Sequence, residues 1–79
     1  MTGADLVRSA LLSSKLSVHE FATYIVRDSA NSVRHWIRGD ELVPESAQQL
    51  LEWFLTLPSR DRRSYVDGAI AAGGGSIGH

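Results

Sequence analysis

Cysteine is absent from the 79 residues, so no disulfide and no thiolate metal site contributes to folding, and nothing calls for an oxidising compartment. Proline occurs only twice, and both Pro44 and Pro58 fall at the edges of apolar periodic stretches. No uninterrupted apolar run approaches the roughly 18 residues of a membrane-spanning helix. Met1-Thr2-Gly3-Ala4-Asp5 lacks the charged-then-apolar layout of a signal peptide, so the expectation is a soluble, cytoplasmic protein. An excess of positive charge is also missing. The formal net charge is −1, which argues against a protein that coats nucleic acid by bulk electrostatics. A chain this short has room for one core and struggles to fold around an enzyme-sized cleft, so a binding module is expected rather than an enzyme, with no cofactor and no small-molecule substrate.

What is present is helical periodicity. Leu6, Val7, Ala10 and Leu11 recur at helical spacing after Asp5, which suits a helix N-terminus and predicts a first helix over about 4–14. Ser17-Val18-His19-Glu20 reads as a capping box that opens a second helix, with Val18, Phe21, Ala22 and Ile25 as its apolar stripe. Arg27-Asp28-Ser29 breaks that stripe. Val33, Trp36 and Ile37 then recur at i, i+3 and i+4 in a short third helix that Gly39 is placed to end in the left-handed conformation. Pro44 suits the first turn of a fourth helix carrying Ala47, Leu50, Leu51, Phe54 and Leu55, and Ser59 suits the cap of a fifth carrying Tyr65, Val66, Ala69 and Ile70. No segment alternates long enough for a strand. The expected fold is therefore all-α with five helices over residues 1–72, followed by a Gly-rich tail at 73–79 that cannot repay its ordering entropy and is expected to be disordered.

Charge is not spread evenly along this pattern. Arg27, Arg34, His35 and Arg38 cluster around the third helix against Asp28 alone, whereas Asp40, Glu41, Glu45 and Glu52 follow it. Two short helices joined by a tight turn, the second apolar on one face and basic on the other, are what reading a DNA major groove needs. In Leu16-Ser17-Val18-His19-Glu20-Phe21-Ala22, Ser32-Val33-Arg34-His35-Trp36-Ile37-Arg38-Gly39 and Val43-Pro44 the chain resembles the phage-repressor/Cro-like (lambda repressor-like) helix-turn-helix family over about residues 6–57. Small Ala22 and branched Val33 stand where the family pattern has them. Between them the chain carries one residue more than that pattern, and Val26-Arg27-Asp28 replaces its turn glycine, which leaves the register of the turn open.

The resemblance implies a lambda repressor-like bundle and a sequence-specific regulator of transcription, a repressor in the first instance, that binds double-stranded DNA. Anchored on Val33 and Trp36, it puts the base-reading positions at Ala30, Asn31, Arg34 and His35, with Ser29 and Ser32 beside them. Arg34 can pair with guanine in bidentate fashion and Asn31 with adenine. Phosphate contacts are expected from Arg27 and Arg38 and from the amide-rich start of the second helix at Ser17 and Val18. Trp53 and Leu57, with Tyr65, Val66, Ala69 and Ile70, offer more apolar surface than one small core needs, so a homodimer on a palindromic operator is expected.

Plainer readings stand beside these. Arg34 and Arg38 are also what a solvated helix face carries, and Trp36, flanked by apolar neighbours, reads as core rather than as a stacking platform. His19 and His35 have no spacing or accompanying donors that suit a metal, and no nucleophile elbow or phosphate loop is present. A different class of function, an antitoxin-like or adaptor module that docks on a protein partner, uses the same fold and suits the slightly acidic total; an enzyme with a site shared between subunits ranks behind both.

Overall fold

The computed structural model describes residues 2–72, and the expectation of a disordered tail at 73–79 lies outside the described residues. Helix α1 (Gly3–Ser14) is capped by Thr2, whose hydroxyl accepts from the Asp5 amide at 3.1 Å. Asp5 is thus not the cap. It answers Thr2 from the first turn, and the Thr2 hydroxyl and amide hold its carboxyl below the usual carboxylate range. Leu6, Val7 and Ala10 bury one stripe of α1, and Lys15 ends the helix in the left-handed conformation (φ 60°).

Helix α2 begins as expected at Ser17. Glu20 donates its amide to the Ser17 hydroxyl at 3.2 Å, and the Ser17 amide donates back to Glu20 Oε1 at 3.1 Å. One α-helical turn, Val18–Glu20, runs directly into π-helical Phe21–Val26. The π turn widens the helix by one residue, and Phe21, Ala22 and Ile25 all face the core. Arg27, in the left-handed conformation (φ 59°), then ends the helix.

Helix α3 (Ala30–Arg38) is capped by Ser29, which accepts from the Ser32 amide at 3.0 Å, and ends at Gly39 (φ 83°), where a left-handed residue is needed. Pro44 lies one position outside the expected first turn. It is the N-cap of α4 (Glu45–Thr56), with no side-chain cap, and Gln48 secures the entry by donating to the Val43 carbonyl at 2.8 Å. Ser59 likewise does not cap α5 (Ser59–Ile70). Pro58 holds that position, and the Ser59 hydroxyl instead accepts from Arg62, whose other guanidinium nitrogen donates to the Leu57 carbonyl at 2.8 Å.

Helix α1 is the hub, packed against α3, α4 and α5, while α5 also lies on the π-helical part of α2. Val7, Phe21, Val33, Leu51 and Phe54 are fully buried where these helices meet, each contributing roughly 1.5–3 kcal/mol by removal from water. Trp36 joins them at 4% exposure, as core. The described residues are all-helical, with no strand, and none of their helices is long and apolar enough to cross a membrane.

Of the residues expected to face a second subunit, Val66 is part of the chain's own core, and Tyr65, Ala69 and Ile70 pack against that core partly buried. Leu57 is also half-buried. Helix α5 covers α1 and α2 within one chain, which takes up most of the apolar surface that looked surplus in the sequence. Trp53 alone stays substantially open, at 47% exposure, with its ring edge-on to Tyr65 at 5.3 Å.

Candidate nucleic-acid interface

The Ser29 cap and the left-handed Gly39 hold α3 to nine residues, and its apolar spacing turns Val33 and Trp36 inward. The opposite face consequently presents Asn31, Arg34 and Arg38 to solvent, with Ser32 and His35 half-exposed at its margins. These five side chains share one surface. Ala30 does not join them, because the first residue after the cap turns back and packs partly buried against the core. Ser29 is exposed, but its hydroxyl is committed to the cap, accepting from the Ser32 amide and donating to Ser32 Oγ at 3.0 Å. Both serines shape the start of the helix more than they offer free polar groups.

Arg27 lies exposed in the turn that feeds this helix. Its neighbour Asp28 accepts from the Ser29 amide at 2.7 Å, so the acid in the turn is occupied in ordering the entry to α3. At the start of α2 the Glu20 carboxylate takes both the amide and the hydroxyl of Ser17 at 3.1 Å, and Val18 is half-buried against the core. That helix pole thus already carries a negative charge beside Ser17.

One residue of the surface was not singled out from the sequence. Asp40 follows the Gly39 turn, its amide donates to the His35 carbonyl at 2.9 Å, and this folds its carboxylate back over the last turn of α3. There Oδ2 lies 3.4 Å from His35 Nδ1 and 3.4 Å from Arg38 Nε. The signal available in the sequence was the spacing itself. An acid immediately after a helix-ending glycine returns to the side chains two and five positions before it.

A second surface feature lies elsewhere. Between the end of α1 and α5 runs a cleft of about 440 Å³ with Leu12, Leu16, Val66 and Ile70 on its walls and Lys15, Arg62 and Arg63 beside them. Leu12 is 78% exposed there. No family model, curated protein or solved structure matches this chain. The functional reading therefore rests on the residues and their geometry.

Proposed function

We propose that this chain is a sequence-specific double-stranded DNA-binding regulator of transcription, a repressor, that lays α3 in the major groove in the manner of lambda repressor-like helix-turn-helix proteins. The observation that carries the reading is the two-sidedness of α3: Val33 and Trp36 lock one face into the core while Asn31, Arg34 and Arg38 are exposed on the other. In this reading Arg34 donates both arms of its guanidinium to guanine O6 and N7, and Asn31 pairs with adenine. Arg27 and Arg38 contact phosphates on either side and set the register without reading sequence. Two copies, related by a two-fold axis, present two such helices to successive major grooves about 34–36 Å apart and so read a palindrome.

Selection of bound sites from random duplex DNA tests this directly. A palindromic consensus whose affinity falls steeply with salt is the expected result, because each phosphate contact releases counterions. Absence of any enriched sequence, with binding too weak to titrate at low salt, overturns it.

The second reading, an antitoxin-like or adaptor module, is favoured by the α1/α5 cleft, where an exposed leucine sits among three cationic side chains. A protein partner docked there by apolar burial gives an affinity that changes little with salt, the opposite of the DNA case.

A further inference from the structure

Asp40 is costly where it stands. A carboxylate just past the end of α3 faces the negative pole of the helix macrodipole, and ion pairs as exposed as those to His35 and Arg38 return little stability. Its placement is nonetheless well defined. Gly39 in the left-handed conformation turns the chain, its amide donates to the Trp36 carbonyl at 3.2 Å, and the Asp40 amide donates to the His35 carbonyl at 2.9 Å. Helix stability does not account for the acid, which faces an imidazole and a guanidinium.

We propose that Asp40 is a positioning residue that fixes the tautomer of His35 and thereby the base that α3 selects at that position, an inference that rests on the DNA-binding reading. An ionised carboxylate only accepts hydrogen bonds, so a neutral His35 facing Oδ2 through Nδ1 carries its proton on that nitrogen. Nε2 is then a bare acceptor. The arginines of this surface, Arg34 and Arg38, are donors only, and Asn31 offers both kinds of group. His35 therefore supplies a dedicated acceptor on a surface otherwise rich in donors. In the major groove an acceptor matches an exocyclic amino group, N4 of cytosine or N6 of adenine, and is rejected by guanine O6 and thymine O4. The base that His35 faces is thus cytosine or adenine, with its amino group toward Nε2, rather than guanine or thymine, beside the guanine taken by Arg34.

Two measurements test this. Long-range proton–nitrogen NMR of the imidazoles in the free protein, at a pH where they are neutral, is expected to find the His35 proton on Nδ1, and to find it moved toward Nε2, as in a solvated imidazole, in Asp40→Ala. A wild-type proton on Nε2, or no change in the variant, overturns the inference whatever DNA does. On the selected operator, Asp40→Ala and His35→Ala are each expected to lose discrimination at the same base pair, by about tenfold for one direct base contact. Removing the amino group from that base is expected to weaken the wild type by a similar factor and Asp40→Ala hardly at all. Asp40→Ala with discrimination intact overturns the role in selection. Failure of the wild type to bind any duplex instead overturns the DNA reading and the base selection with it, and leaves the NMR result reporting on Asp40 alone.

Discussion

The amide of Asp28 donates to the carbonyl of Ala22 over 2.9 Å, six residues back, and so closes the π-helical end of α2 around a left-handed arginine. Glycine adopts that conformation without the clash a Cβ brings, which costs a non-glycine residue roughly 1–2 kcal/mol. Arginine at this point gives up stability for the side chain it places. Arg27→Gly is accordingly expected to raise the denaturant midpoint, by about 1 kcal/mol at most, while lowering affinity on all DNA sequences and flattening the salt slope by about one unit. A variant that melts lower removes the backbone cost assigned to Arg27, and one that binds with an unaltered slope removes its phosphate contact.

Arg34→Ala tests the reading face itself. Arg34 is exposed and takes part in no ion pair among the described residues, so its truncation leaves the fold untouched. Specific binding is expected to weaken by roughly 1–3 kcal/mol, with relaxed preference at one base pair and little change on random sequence. Competition titration against single-base operator variants reads this out, and an unchanged ranking of those variants removes Arg34 from base reading.

The elements were legible wherever periodicity and capping chemistry agreed. The Ser17–Glu20 box, the Val33–Trp36 stripe and the left-handed Gly39 are all local signals, and all three appear in the structure. The π turn has no such local signal. Nothing in Phe21–Val26 distinguishes a helix widened by one residue from a lengthened turn, because only the core contacts of Phe21, Ala22 and Ile25 decide between them. Ser59 misled for a related reason. It is a competent cap, but Pro58 holds the cap position and Ser59 becomes the first residue of the helix. On the candidate surface the exposure of Arg34 and Arg38 followed from helical spacing and Asn31 from the resemblance, whereas the inward turn of Ala30, the Glu20 carboxylate over Ser17 and the return of Asp40 depend on tertiary or cap geometry.

Trp36→Ala removes a side chain 4% exposed, near Val26, Pro44 and Ala47 where α4 begins. The loss is expected to be about 3–5 kcal/mol, a large share of a small domain's stability. Denaturant unfolding measures it, and a near-wild-type midpoint shows that the indole does not hold α3 to the rest of the bundle.

Asp5 carries a pH dependence whose direction follows from its partners. The Thr2 hydroxyl and amide, with a smaller contribution from Arg8, lower its carboxyl below the ordinary value. A depressed native value means that the unfolded chain binds the proton more readily, so the cap contributes fully above the ordinary carboxylate range and is lost as pH falls through the native value. Thr2→Ala is expected to return the Asp5 titration toward normal and to fray the start of α1 at neutral pH. Carboxyl-carbon NMR titration checks the shift, and an unmoved Asp5 curve assigns it to a partner other than Thr2.

Of the residues expected at a dimer contact, Val66 belongs to the chain's own core and Trp53 is the one left substantially open. Trp53, 47% exposed, meets Tyr65 edge-on at an interplanar angle of 80°, with Gln49 and Glu52 exposed beside it on α4. An aromatic ridge rimmed by polar groups is the pattern of a protein contact, and a two-fold axis through it gives each copy the same partner surface. Trp53→Arg keeps the fold, since the indole is not core, and adds like charge across the axis. The wild type is expected to sediment as two copies at micromolar concentration and the variant as one of 8.6 kDa. Affinity for a palindrome is expected to fall in the variant while affinity for a single half-site holds, because the contact links two reading helices without touching either. A wild type that already sediments at 8.6 kDa, and whose palindrome binding the substitution leaves unchanged, shows that one copy suffices and that Trp53 plays no part in assembly.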